Sequence, residues 1–180
     1  MKVGSLQVRR RSLPLADSGE IEPMRPGEFA YAIFDTDQIC IAHDPWDYLR
    51  GMLQPADEEA DITARAFALE GRFEMGLDDG HLVWGGPLLD LANFLAGWSL
   101  APPATGEFFP FEQAPTMSIT TIDGRCSFAV DGGKVGSLPV SATIDTVRGF
   151  IGQFAAEIKR RVPLDSIPSA FYWIRSDWPP

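Results

Sequence analysis

Cysteine and histidine are scarce in this chain, with two of each among 180 residues. Cys40 and Cys126 cannot build a disulfide framework, and their spacing fits no zinc pattern; both facts suit a reducing compartment. Two histidines, His43 and His81, without neighbouring thiols leave little from which to build a transition-metal site, so no metal or other cofactor is expected. No apolar run approaches the ~18 residues that span a bilayer. The N-terminus, "MKVGSLQVRRRSLPLADSGE", carries charge but no apolar stretch of the kind a secretory signal needs. The expectation is therefore a cytoplasmic protein with no membrane partner. Bases are short too: 15 Lys and Arg face 25 Asp and Glu, a formal net charge of -10. Such a surface repels nucleic-acid phosphates and draws cationic partners.

The charge is unevenly spread. Residues 1–25 hold five bases and three acids, whereas Glu28 to Glu107 holds fifteen acids and three bases. Apolar residues make up 45% of the chain and aromatics 11%, enough for a packed core. The length suits one domain, expected over 29–180, behind an N-terminal strand and irregular lead over 1–28.

Periodicity gives the elements. "FAYAIF" (29–34) and "QICIAH" (38–43) read as strands, and "WDYLRGML" as one or two helical turns. In "FALEGRFEM" the apolar Phe67, Leu69, Phe73 and Met75 alternate with Ala68, Glu70, Arg72 and Glu74, a strand with one buried face. "LDDGH" turns the chain, and "HLVW" returns. After Pro87, suited to a helix start, Leu88, Leu91, Leu95 and Trp98 recur at helical spacing, with Asp90, Asn93 and Gly97 opposite. "APPATGEFFPFEQAP" reads as an irregular connection. Met117, Ile119 and Thr121 then alternate, Asp123-Gly124 supplies a type I′ turn, and Cys126, Phe128 and Val130 alternate on the return. "DGGK" turns into a third strand, "VGSLPV". Thr143 is the expected cap of a long helix striped by Val147, Phe150, Ile151, Phe154, Ile158 and Val162. Asp145 near its start and Lys159, Arg160 and Arg161 near its end complement the helix dipole. "FYWIRSDW" reads as a closing strand. Hairpins interleaved with two amphipathic helices predict an α+β fold, with a single antiparallel sheet and both helices on one face.

"QICIAHDP" places Cys40, His43 and Asp44 close together, the residue types of a thiol nucleophile and its base. On a strand, however, Cys40 and His43 point to opposite faces, so direct pairing is disfavoured. Only His81 could then serve Cys40 as base, and it falls on a hairpin turn. The plainer reading of Cys40 is a buried thiol. "YAIFDTDQ", a hydrophobic run followed by Asp-x-Asp, resembles the first motif of haloacid-dehalogenase-type phosphotransferases. That resemblance would make Asp35 a nucleophile and Asp37 a general acid or base beside magnesium. Ile39 departs from the motif, and neither the parallel fold nor the later acidic motif of that family is visible. The plainer reading of Asp35 and Asp37 is an ordinary turn, where Asp is favoured for its side-chain-to-backbone hydrogen bonds. The acids of "PADEEAD" lack calcium-loop register. "DGGKVGS" lacks the strand-loop-helix setting of a phosphate loop, and no Gly-x-Ser-x-Gly or His-Glu-x-x-His occurs. In "GEFFPFE", with Phe108, Phe109 and Phe111, the last two flank Pro110 and the rings cannot all be buried easily, which leaves room for an exposed patch.

No catalytic constellation assembles, and the reading is a non-enzymatic binding protein with an acidic face for a basic partner. The layout "TMSITTIDGRCSFAV" followed by "TIDTVRGFIGQFAAEIKRRV" resembles small acidic immunity proteins of bacterial toxin-immunity systems. This resemblance implies a single α+β domain that neutralises a toxin by covering its active site or a needed surface. Partner contacts would then rest on Asp44, Asp47, Asp57, Glu58, Glu59 and Asp61, with Trp46 as an aromatic anchor. Two other classes stay open: a small metal-dependent hydrolase or phosphotransferase using Asp35, Asp37 and His43, and a structural or adaptor subunit.

Overall fold

The computed structural model describes residues 24–33, 46, 69–110, 114–163, 171–176 and 178. The first strand, β1, is Phe29–Ile33, followed by β2 (Glu70–Leu77) and β3 (Gly80–Pro87). These three form one antiparallel sheet in the order β1-β2-β3. The alternation in "GRFEM" is realised: Phe73 and Met75 are buried, while Arg72 and Glu74 lie on the other face. Pro87 ends β3, having no N–H for a ladder, and leads into α1 (Leu88–Leu100), as the sequence predicts. Leu88, Leu91, Leu95 and Trp98 are buried along its inner stripe, and Asn93 and Gly97 are exposed.

A second sheet follows, in the order β4-β5-β6-β7: β4 Thr105–Phe108, β5 Met117–Ile122, β6 Arg125–Val130 and β7 Gly133–Pro139. Asp123 and Gly124 both have positive φ, 50° and 75°, the conformation a type I′ turn requires. Asp131 and Gly132 repeat it at 48° and 76° between β6 and β7. The long helix α2, Val140–Arg161, buries Val147, Phe150, Ile151, Phe154 and Ile158, and the one-turn α3 is Tyr172–Arg175.

The fold is α+β, with two corrections to its expected layout. The single sheet is in fact two, of three and four strands. They meet where β7 passes the β2–β3 turn. There the Asp78 N–H donates to the Ser137 carbonyl (3.0 Å) and the Asp79 carboxylate accepts from the Ser137 N–H (2.6 Å). Arg125 also pairs with Asp78 at 2.6 Å. Besides the two expected helices there is α3, in the stretch read as a closing strand. Phe171, Trp173 and Ile174 are buried in a pattern that is not alternating. Trp173 stacks on Phe154 and donates its indole N–H to Asn93 Oδ1, an arrangement one helical turn supplies.

Smaller differences have equally local causes. Thr143 lies inside α2, not at its cap: its hydroxyl donates to the Pro139 carbonyl four residues back, while Gly124 of the hairpin turn accepts the first N–H, from Val140. Asp145 accordingly lies beyond the first turn. β4 runs through part of the stretch read as irregular. Its alternation, Gly106 and Phe108 inward with Thr105 and Glu107 outward, carries only one large apolar residue. Gly106 suits that position because a Cβ would stand 3.0 Å from the Trp98 ring, closer than side chains ordinarily pack.

The core between sheets and helices is strongly aromatic. Phe150 meets Phe29, Tyr31, Phe73 and Phe154, and Phe108 of β4 packs on Trp84 and Phe94. Cys126 is a free, buried thiol. Among the described residues, no helix is long and apolar enough to cross a membrane.

Candidate functional site

The expected partner-binding acids Asp44, Asp47, Asp57, Glu58, Glu59 and Asp61 lie outside the described residues, as do Asp35, Asp37, Cys40 and His43. What the fold does fix is where the chain leaves the sheet and where it returns. Ile33, the end of β1, stands opposite Gly71 of β2, and Leu69 hands its carbonyl to the Leu88 N–H at the start of α1. Residues 34–68 therefore start and finish at one end of the three-stranded sheet. They hold eight acids against two bases, whereas the described residues hold eleven acids against nine bases. The acidic excess of the chain thus belongs largely to one connection, and the described residues are close to neutral.

Trp46 is a described residue of that connection. It is only 7% exposed, part of the core, with the Arg161 guanidinium 4.5 Å above its ring. Placed so, the indole offers little surface to a partner. It ties the connection to the end of α2, where Lys159, Arg160 and Arg161 cluster.

Where the connection rejoins the sheet, Glu70 begins β2 and Asp90 lies in the first turn of α1. Burial pushes the Glu70 carboxyl above its ordinary pKa, and the Asp90 charge pushes it the same way. Burial also raises Asp90, although a helix N-terminus favours its anion. Leu69, just before, holds a left-handed φ of 60°, uncommon for a residue with a Cβ. The sequence offered no sign of this pair, since the two carboxylates are twenty positions apart and neither sits in a motif.

A second polar group lies on the sheet face opposite the core. Arg72 Nε is 2.7 Å from Glu74 Oε1, and His81 Nε2 is 3.3 Å from Glu74 Oε2, a polar contact and not an aligned hydrogen bond. His81 is thus a residue of β3 rather than of the turn. A carboxylate between a guanidinium and an imidazole can orient that imidazole, but a reaction would also require a nucleophile and a pocket, and the described residues place neither beside it. A shallow, open cavity of about 450 Å³ lies elsewhere, along the outward face of α2, lined by Asp145, Arg148, Gly149, Gly152 and Gln153. Arg148, which lines it, also donates to the Ser99 carbonyl (3.3 Å). Among the described residues, no group of three His, Cys, Asp or Glu is placed to hold a metal ion.

Among the described residues, the exposed large apolar side chains are Val83, Leu100, Phe109, Ile122 and Tyr172, with Phe109 the most open at 70%. The crowding in "GEFFPFE" resolves by alternation: Phe108 packs inward and Phe109 faces solvent. Set against known proteins, the chain matches no family, and no curated protein or solved structure is significantly similar to it.

Proposed function

We propose that this chain is a non-enzymatic binding protein, of the immunity-protein kind, that neutralises a basic toxin or effector domain. It does so by laying an acidic face over the toxin's active site or over a surface the toxin needs. One observation carries the reading: residues 34–68, with eight acids and two bases, depart from and rejoin one end of a nearly neutral scaffold. Charge gathered in one connection steers a basic protein to that place, where charge spread evenly would serve solubility alone. Asp44, Asp47, Asp57, Glu58, Glu59 and Asp61 are the residues assigned to that contact.

The test is affinity capture from cells that express the protein, with the chain as bait beside a variant carrying Asp44→Asn, Asp47→Asn, Asp57→Asn, Glu58→Gln, Glu59→Gln and Asp61→Asn. A basic protein retained by the wild type, released by raised salt and missed by the neutralised variant is the expected outcome. The metal-dependent alternative is tested separately, by thermal shift with magnesium, manganese or calcium. A metal-dependent rise in Tm that is lost in Asp35→Asn would replace the binding reading with an enzymatic one.

A further inference from the structure

We propose that Arg161 is a positioning residue for the partner contact: its guanidinium, set by Glu157 and Tyr31, pins Trp46 and with it the neighbouring acids Asp44 and Asp47. This deepens the reading above and rests on it. Trp46 is only 7% exposed, and the Arg161 guanidinium lies 4.5 Å from its ring centroid. That guanidinium is itself held. Arg161 Nη2 donates to Glu157 Oε1 (3.3 Å), one turn earlier in α2, the acid-before-base order that suits the helix dipole. The other carboxylate oxygen, Oε2, accepts from the Tyr31 hydroxyl of β1 (2.9 Å). The Tyr31 ring meets Phe150 and Phe154 edge-on, each at 5.5 Å. Tyr31, Glu157, Arg161 and Trp46 thus form a relay from the sheet, through the helix, to the acid-rich stretch.

A cation beside an acidic stretch would compete with a basic partner if it were spent on those acids. The bases at the end of α2 have other engagements. Lys159 Nζ donates to the Ser176 carbonyl (2.9 Å) and Arg160 Nε to the Ala156 carbonyl (3.3 Å). The Arg161 charge meets the Glu157 carboxylate, whose side chain is 15% exposed, and the face of a neutral indole. Its grip on the connection is therefore exerted through a ring and not through a charge. Asp44 lies two residues before that ring and Asp47 directly after it. Acids already held in place lose less freedom when a partner arrives, so fixing Trp46 raises affinity without adding a contact. Charge counting alone predicts the opposite sign, because removing Arg161 makes the protein more negative and should tighten its hold on any cation.

The probe is a blocked lysine oligomer, titrated at low salt against the full chain and its variants. Trp46 is followed alongside, as the part of the acrylamide-quenched emission that Trp46→Phe removes. Arg161 keeps 41% of its side chain in solvent, so its replacement leaves the core intact. Arg161→Ala should weaken oligomer binding about three- to tenfold, the worth of a cation–π contact, and open Trp46 to the quencher. Arg161→Lys, which keeps a charge over the ring, should recover most of both. Arg160→Ala, one residue away, should leave Trp46 shielded and bind the oligomer at least as tightly as the wild type. Binding unchanged or strengthened in Arg161→Ala overturns the proposal, as does a Trp46 that stays shielded there. So does an Arg161→Lys no better than Arg161→Ala, or an Arg160→Ala with the same defects. The two readings fail separately. Oligomer binding that depends on the six acids of 34–68 but not on Arg161 loses the positioning role alone. An oligomer that does not bind the wild type, or binds as well once those acids are neutralised, loses the acidic face, and the positioning role falls with it.

Discussion

Glu70 and Asp90 are two half-buried carboxyls near where the acidic connection rejoins the sheet, and both are raised above their ordinary pKa, chiefly by burial. A carboxyl raised in the folded state contributes stability that is fully present below its unfolded pKa and is lost as pH rises through the folded value. At neutral pH the pair is therefore a liability. Glu70→Gln or Asp90→Asn should stabilise the protein at pH 7 by about 0.5 kcal/mol, a figure kept small because the exposed part of each carboxyl is screened by water. The gain should vanish only below the ordinary carboxylate range, at about pH 3, where the carboxyls are protonated in the folded and the unfolded chain alike. Urea unfolding of wild type and variants at the two pH values reads this directly, and an equal or larger gain at the lower pH would contradict it. Phe150 is a residue of the opposite sort. It is fully buried against four other rings, so Phe150→Ala should cost about 3 to 5 kcal/mol in the same measurement.

Among the elements, the legible ones carried both a period and a punctuation mark. β2 and β3 have alternation on either side of "DDG", α1 follows Pro87, and the β5–β6 hairpin closes on Asp123-Gly124. The Gly124 φ of 75° makes the last case testable. Gly124→Ala should destabilise by about 1 kcal/mol, the cost of a Cβ in the left-handed region, whereas Asp123→Gly should be nearly neutral. Comparison of the two by thermal unfolding checks the turn. What was not legible lacked such marks. β4 has a single large inward residue, Phe108, because the Trp98 ring occupies the space a side chain at 106 would need. α3 is fixed by a stacking partner and an indole hydrogen bond that come from two distant helices. The division of the sheet depends on a side-chain acceptor, Asp79, which bonds the Ser137 N–H fifty-eight residues away. Asp79→Ala should loosen that junction. Hydrogen exchange at the Ser137 amide should then quicken by about tenfold or more, with exchange at Phe73 and Met75 unchanged, and equal acceleration throughout would point instead to global destabilisation.

At the scale of the molecule, the net charge of -10 was visible from composition, but its meaning was not. The pairing of β1 with β2 shows that the residues flanking the acid-rich stretch 34–68 lie at one end of the three-stranded sheet, in a set of described residues that is nearly neutral. The one described side chain among them, Trp46, is tied to the basic end of α2. The most direct test of the binding reading is the dissociation constant for the captured basic protein, measured between about 50 and 500 mM salt. The account predicts an affinity for the wild type that falls at least about tenfold across that range. With the six acids neutralised, it predicts a weaker affinity with little salt dependence. An affinity indifferent to salt, or equal in the two proteins, would contradict it.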